Sequence, residues 1–86
     1  MTTELEYKTE PGRIYIEKDG ELLGEVTFRE AKPNLYTIRH TFVHEKLRGQ
    51  GVADELVRRA VEELESRGAS IRATCSYAVE WLKRYR

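Results

Sequence analysis

The feature that most constrains this chain is an abrupt change of pattern at Arg48-Gly49-Gln50-Gly51. The segment before it, "LYTIRHTFV", has the β-branched and aromatic content of a strand, whereas "VADELVRRAVEEL" after it repeats apolar residues at helical spacing. The first N–H groups of a helix have no partner within the helix, and the helix dipole adds partial positive charge there. A glycine turn between a strand and a helix therefore predicts an anion site, for which phosphate is the usual ligand.

The segment upstream of this turn reads as antiparallel strands. In "RIYIEK" the apolar residues Ile14 and Ile16 alternate with polar or amphipathic ones, and Asp19-Gly20 is a typical two-residue hairpin turn. We expect the returning strand to place one face inward, with Leu22, Gly24, Val26 and Phe28 on it. The third strand should separate Tyr36, Ile38, His40 and Phe42 on one face from Thr37, Arg39, Thr41 and Val43 on the other. Leu5 to Lys8 is a candidate edge strand that Pro11-Gly12 would end.

The segment downstream of the turn predicts a helix from Gly51 to Arg67, with Gly68 as its left-handed end. "SIRATC" then reads as a short strand and "YAVEWLKRYR" as a closing helix, whose packing residues should be Tyr77, Trp81, Leu82 and Tyr85. A strand, a helix and a following strand normally make a right-handed crossover with parallel strands. We therefore expect an α+β fold of order β-β-β-α-β-α, with a mixed, mostly antiparallel sheet in a single domain spanning residues 1–86.

The composition excludes several classes of binding partner and of site. The 15 basic and 15 acidic residues cancel, which argues against nucleic acid or an anionic membrane as the partner. A single cysteine, Cys75, allows neither an internal disulfide nor a cysteine-based zinc site, and we expect no metal. The start "MTTELEYKTE" lacks the apolar region of a signal peptide, and no apolar run approaches the roughly 20 residues of a membrane span. The expectation is a cytoplasmic protein, monomeric or weakly dimeric.

Other phosphate motifs fit the turn less well. No lysine followed by serine or threonine comes after its glycines, as a P-loop requires, and the third glycine of a dinucleotide fingerprint is missing. A tight connection that uses its glycines for packing alone remains the alternative.

The segment "LRGQGVA" resembles the acetyl-CoA signature of the GNAT (Gcn5-related) N-acetyltransferase superfamily, with Arg48, Gly51 and Ala53 at the signature positions. The strand and helix around it match the superfamily's order. "RHTFVHEKLRGQGVA" and "CSYA" are similar to a short, single-domain YjdJ-like subgroup, and the resemblance extends from about Arg13 to Tyr85.

The resemblance implies acetyl-CoA as cosubstrate. The turn and first helical turn would bind the CoA pyrophosphate through Arg48, Gly49, Gln50, Gly51, Val52 and Ala53. The preceding strand end would pair with the pantetheine arm through main-chain groups of Thr41, Phe42 and Val43, between two strands that splay apart.

The chain also departs from the superfamily pattern. Most members carry one or two helices between the first strands, where this chain has only the Asp19-Gly20 hairpin, so the acceptor side should be open. Many members carry a proton-donating tyrosine on the last helix, and alignment places Leu82 there.

Cys75 and His40 are the candidate catalytic residues. Cys75 lies at the proposed cleft, where its sulfur could face or accept the acetyl group; a small buried hydrophobe is the alternative. Histidine titrates near neutral pH as a general base must, although the position of His40 beside Phe42 also fits a hydrogen-bonded core residue.

Two functions that use CoA remain open on the sequence, and a small structural or RNA-associated domain without a ligand is a third class. The first is transfer of an acetyl group from acetyl-CoA to an unidentified amine, peptide or thiol. The second is a non-catalytic module or sensor that binds acetyl-CoA or CoA.

Overall fold

A computed structural model describes residues 5–86. Its strands are β1 (Lys8–Glu10), β2 (Arg13–Lys18), β3 (Glu21–Lys32), β4 (Leu35–Val43) and β5 (Ser70–Ala73); its helices are a short 3₁₀ turn (Glu45–Leu47), α1 (Val52–Ser66) and α2 (Ser76–Tyr85). The strands form one sheet in the order β1-β2-β3-β4-β5, antiparallel except for the parallel pair β4 and β5. The predicted α+β fold with a mixed sheet is confirmed.

The turns between the strands follow from residues that tolerate a positive φ. Asp19 and Gly20 have φ values of 53° and 78°, as the predicted two-residue hairpin requires, and Asn34 reaches 65° between β3 and β4. The edge strand forms at Lys8–Glu10, beginning where the predicted Leu5–Lys8 strand ends. It stops at Pro11-Gly12 as expected.

A β-bulge in β3 changes which of its residues are buried. Ile16 pairs with Gly24, but the next residue of β2, Glu17, pairs with Leu22, so Leu23 is extra. Leu23 is buried and Leu22 is only half-buried, which corrects the expectation for Leu22; Gly24, Val26 and Phe28 are buried as predicted.

A second bulge, in β4, reverses the predicted faces beyond its middle. Phe28 pairs with Ile38, whereas the neighbouring Thr27 pairs with His40, which leaves Arg39 as the extra residue. After this point His40 lies on the face opposite the core and is exposed, so its interpretation as a core histidine is wrong. Val43 instead packs against the core cluster.

The core lies on the face of the sheet that α1 covers. The buried face of α1 consists of Val52, Leu56, Val57, Ala60, Val61 and Leu64, the apolar stripe visible in the sequence together with Val52. They meet the inward residues of β2, β3 and β4, among them Ile16, Val26 and Ile38. The bounds of α1 differ from the predicted ones by one residue at each end.

The C-terminal end of α1 is closed by hydrogen bonds. Gly68 has φ of 75°, its N–H donates to the Glu65 carbonyl at 2.9 Å, and the Ala69 N–H donates to the Leu64 carbonyl at 3.1 Å. This pair of bonds is a Schellman motif, which satisfies carbonyl groups that the helix leaves without partners.

Helix α2 packs on α1 through one aromatic residue. Trp81 is buried, and its indole N–H donates to the Asp54 carboxylate of α1 at 2.7 Å. Ala78 is also buried, although the sequence pattern did not single it out. Tyr77 and Tyr85 were expected to pack but are 43% and 45% exposed.

Candidate active site

The strands β4 and β5 separate halfway along β4. Their pairing runs from Leu35 and Ser70 to Ile38 and Ala73, and the Thr74 N–H makes a last bond to the Ile38 carbonyl at 3.0 Å. Beyond it β4 continues to Val43, paired only with β3. Within the part of the chain that the structure describes, one edge of this half of β4 therefore has no neighbouring strand, and this is the predicted gap in the sheet.

The direction of the main-chain groups along this edge follows from one hydrogen bond. The His44 N–H donates to the Leu23 carbonyl of β3 at 2.7 Å. Because N–H groups point alternately to the two sides of a strand, those of Thr41 and Val43 point into the gap. The gap thus offers N–H and C=O groups to a ligand that contains amides.

The glycines of the turn adopt backbone conformations that other residues rarely adopt. Gly49 and Gly51 have φ values of 81° and 76°. A Cβ added at either position would meet no atom within 4 Å. Packing therefore does not require these glycines; the backbone conformation does, and the space beside them is open.

The start of α1 is not closed by the protein. Gly51 is the N-cap, and no side chain of residues 5–86 caps the helix. The first helical hydrogen bond runs from the Glu55 N–H to the Gly51 carbonyl at 3.0 Å. The N–H groups of Val52, Ala53 and Asp54 precede that bond and so have no intrahelical acceptor. This arrangement suits an anion.

A pocket of about 240 Å³ lies against this helix start. Its lining combines the end of β4, the turn, the first residues of α1 and one residue of α2: Val43, Leu47, Arg48, Gly49, Gly51, Val52, Ala53 and Tyr77. Most of the sequence-predicted cofactor residues are thus brought together. Gln50, Thr41 and Phe42 do not line it; the Gln50 side chain bonds the Lys46 carbonyl at 3.2 Å.

These features fit a CoA-type ligand. The open helix start and Arg48 suit a diphosphate, and the unpaired edge of β4 suits an amide-bearing arm that continues into the gap.

Cys75 lies at the inner end of the gap, as the N-cap of α2. It is half-buried, and its thiol donates to the Thr41 hydroxyl at 3.5 Å. Burial raises the pKa of the thiol, but the Thr41 hydroxyl and the backbone N–H groups of Ala78, Tyr77 and Thr41 outweigh burial, so its pKa lies below the ordinary value. No hydrogen bond of good geometry runs from the Cys75 side chain to the helix start, so those helix N–H groups act on the sulfur as nearby dipoles.

Leu47 and Tyr77 are the two pocket residues that were not among the sequence-predicted site residues, and Tyr77 carries a hydroxyl. Burial, followed by the charge of Asp54, raises the pKa of its hydroxyl, which therefore keeps its proton at neutral pH. The sequence pattern predicted that Tyr77 packs in the core, and so gave no signal of its place in this pocket.

His40 lies away from this pocket. It contributes to a different cavity, lined by Thr27, Phe28, Arg29, Arg39 and His40. Within residues 5–86 no group of three His, Cys, Asp or Glu side chains could hold a metal ion. Neither α1 nor α2 is long and apolar enough to cross a membrane, nor is any other helix of the described residues.

Comparison with known proteins places this geometry in a family. The family described as GCN5-related N-acetyl-transferase matches residues 13–86. No curated protein sequence matches the chain significantly.

Among solved structures, a candidate GCN5-like N-acetyltransferase from Staphylococcus aureus is 33% identical, with a TM-score of 0.78 over 96% of this chain and 82% of that one. N-acetylglutamate synthase from Neisseria gonorrhoeae, solved with coenzyme A and N-acetyl-glutamate, is 20% identical, with a TM-score of 0.67 over 85% of this chain and 18% of that one. Tetrahymena GCN5 is 16% identical, with a TM-score of 0.64 over 84% of this chain and 48% of that one.

The last two likenesses show the fold alone, and the chain spans about half of GCN5 and a smaller part of the synthase. The match to the Staphylococcus aureus protein extends over most of both chains. Membership of the YjdJ-like subgroup stays a prediction. Together with the family match over residues 13–86, these findings show that the chain belongs to the GCN5-related N-acetyltransferase family.

Proposed function

We propose that this protein binds acetyl-CoA at the turn before α1 and transfers the acetyl group to an amine or thiol acceptor. One observation carries the proposal: the left-handed Gly49 and Gly51 face open space beside unpaired helix N–H groups, next to the unpaired edge of β4. Within residues 1–86, a single domain would supply every group needed for binding.

In this proposal the turn holds the diphosphate. The N–H groups from Gly49 to Ala53 would donate to phosphate oxygens, and the exposed Arg48 would add charge-assisted hydrogen bonds. The edge of β4 from Thr41 to Val43 would pair with the amides of the pantetheine arm. The arm would then direct its thioester into the gap, toward Cys75.

Cys75 is the proposed nucleophile. Its thiolate attacks the acetyl carbonyl, a new carbon–sulfur bond forms, and the bond to the CoA sulfur breaks. The departing CoA thiolate takes a proton, leaving S-acetylcysteine. The acceptor then attacks this acetyl group, and the Cys75 sulfur leaves as a thiolate while the acceptor loses its proton.

Two groups that line the turn pocket would support these steps. The Val43 N–H points into the gap and would stabilise the negative charge that develops on the carbonyl oxygen. Tyr77 keeps its proton at neutral pH and would donate it to the CoA thiolate. Both assignments follow from position in the pocket.

A CoA-binding module without catalysis is the second candidate. The exposed position of His40 outside the turn pocket favours it, because a general base is then missing from that pocket. Both functions require CoA binding, and only the first predicts turnover.

Calorimetry and a thermal melt with CoA test the shared requirement. Ligand at about 100 times its Kd should add roughly 2.7 kcal/mol to the free energy of unfolding. No shift with folded protein at millimolar CoA would contradict both functions.

Intact mass after incubation with acetyl-CoA tests the chemistry. We expect an acetyl adduct that Cys75→Ser lacks, with release of free CoA. CoA binding without an adduct and without release of CoA to any acceptor would favour the binding module.

A further inference from the structure

The face of the sheet opposite α1 carries a cluster of arginines without carboxylate partners. Arg29 of β3, Arg39 of the β4 bulge and Arg72 of β5 are all exposed. Among the ion pairs of residues 5–86, none involves these three side chains. Most other arginines of the chain are paired, as Arg13, Arg58 and Arg67 are.

The strand register places Arg29 and Arg72 on either side of Thr37. Arg29 pairs with Thr37 across β3 and β4, and Thr37 pairs with Arg72 across β4 and β5. Arg29, Thr37 and Arg72 therefore form one row on the same face of the sheet. The row spans about 10 Å, because neighbouring strands lie about 4.8 Å apart. The bulge adds Arg39 beside this row.

A cavity of about 430 Å³ opens at this row, lined by Arg29, Glu30, Ala31, Thr37, Arg39 and Thr74. Its size suits a small molecule. Thr37 lies at its floor, only 7% exposed, where its hydroxyl accepts a hydrogen bond from Arg72 Nε at 3.1 Å. That bond fixes the guanidinium of Arg72 over the row.

This cavity adjoins the gap from the other face of the sheet. Thr74 is the residue after β5 and directly precedes Cys75, and Arg39 is the first β4 residue beyond the last pair with β5. The turn pocket, in contrast, lies at the start of α1. The two cavities share no lining residue, so a second molecule could bind here, beside the residue that precedes Cys75, while the first pocket is filled.

Building on the proposed function, we propose that this arginine cluster binds the acceptor, and that the acceptor is a small molecule carrying a carboxylate. The planar guanidinium fork matches a carboxylate through two parallel hydrogen bonds. Glu30 is the one acidic residue of the lining, and its carboxylate already accepts the Asn34 N–H at 3.3 Å. Two arginines, Arg29 and Arg39, line the cavity with this glutamate, and Arg72 lies beside the lining through its bond to Thr37. This balance of charge favours one or two carboxylates and opposes dense negative charge such as a nucleic-acid backbone.

The test uses NMR titration of the isotope-labelled full chain with succinate, and with succinamide as the uncharged match. We expect succinate to shift the amides around Arg29, Thr37, Arg39 and Thr74 with a millimolar Kd, and succinamide to shift none of them. Arg29→Gln/Arg39→Gln should weaken succinate at least tenfold, while Arg72 and its bond to Thr37 stay in place. Arg59→Gln/Arg67→Gln removes the same charge from the outer face of α1 and should leave succinate binding unchanged.

Several outcomes would overturn the proposal. Wild-type protein that shows no succinate shifts at these amides would do so, and so would an equal loss in the Arg59/Arg67 variant, which would reduce the effect to net charge. Inorganic phosphate that binds as well as succinate would show that the cluster does not select carboxylates. Titration of the same samples with CoA separates CoA binding at the turn from carboxylate binding at the arginine cluster. CoA should shift the amides of residues 48–53 in both double variants, with or without succinate binding.

Discussion

The two ends of α1 use the same residue for opposite purposes. Gly51 at the start and Gly68 after the end have φ values of 76° and 75°, and a Cβ added at either would meet no atom within 4 Å. At Gly68 the surrounding N–H and C=O groups are bonded to each other in a Schellman motif. At Gly51 the helix N–H groups have no acceptor among the described residues 5–86. A left-handed glycine alone therefore does not indicate a site; what distinguishes the two ends is whether the main-chain groups beside it are satisfied.

The largest effect should come from a carboxylate at the open end. Gly51→Glu should weaken CoA by about 100-fold or more, because it places negative charge where the diphosphate is proposed to bind. Any side chain at this φ costs about 1–2 kcal/mol, so Gly51→Gln and Gly68→Glu are the controls for strain. Both should stay folded and bind CoA far better than Gly51→Glu. Calorimetry measures the affinities for CoA. An affinity of Gly51→Glu equal to that of the wild type would contradict the proposal that the diphosphate binds at the start of α1.

A smaller effect is expected where the open end contacts α2. Asp54 accepts hydrogen bonds from Trp81 and Arg58, and the Arg58 guanidinium is the main reason that the pKa of its carboxyl lies below the ordinary value. Asp54→Asn should lower the free energy of unfolding by about 1 kcal/mol at pH 7. A depressed folded-state pKa stabilises the protein above the unfolded-state pKa, and this stabilisation is lost as pH falls through the folded-state value. In urea unfolding, the difference in the free energy of unfolding between the wild type and Asp54→Asn should therefore shrink toward pH 3. A difference that does not change with pH would contradict the ionic explanation.

The reactivity of Cys75 gives a third test. It depends on the Thr41 hydroxyl and on N–H groups in the gap, which have no counterpart at the C-terminal end of α1. Thr41→Val removes the hydroxyl that helps to lower the thiol pKa, so less thiolate should be present at neutral pH. Alkylation by iodoacetamide at pH 7 should slow by roughly two- to fivefold, with the rates converging at pH values above both thiol pKa values. Thr27→Val, on the other face of the sheet, is the matched control. An unchanged pH profile in Thr41→Val would remove Thr41 from this role.

The smallest effect belongs to the closed end. Glu63→Gln breaks an ion pair with Arg67 whose atoms lie 2.8 Å apart on the exposed surface. The loss should be about 0.3 kcal/mol in low salt and smaller at high salt, because exposed pairs are screened. CoA affinity measured in parallel should not change. A change in CoA affinity would mean that the C-terminal end of α1 is energetically coupled to the turn before the helix.

Much of this fold could be read from local patterns. The Asp19-Gly20 hairpin, the bounds of α1 and the left-handed Gly68 each depend on residues adjacent in sequence, whose backbone preferences dominate. The parallel pairing of β4 and β5 followed from the handedness of the crossover. These elements are set by rules that need no knowledge of distant contacts.

The residues that sequence reasoning misplaced depend on pairing between strands. His40 was assigned to the core by strict alternation along β4, and the bulge at Arg39 has no signature in the local sequence. Tyr77 was expected to pack because it is aromatic, whereas the buried residues of α2 are Ala78 and Trp81. The contact between Cys75 and Thr41 joins residues 34 positions apart, so it depends on the tertiary fold and not on local sequence.

The bulge at Arg39 has one further consequence, for the effect of changes in chain length. Because the bulge holds one extra residue, the pairing with β3, rather than strict alternation along β4, determines which side chains the far half of the strand presents to each surface of the sheet. Removing residue 39 would make Ile38 and His40 neighbours opposite Phe28 and Thr27, so the bulge would disappear while Thr41 and Val43 still face the helices. An alanine at position 39 would keep the extra residue and the same faces. The side chains that flank the cleft therefore depend on strand pairing and not on the chemistry of the arginine.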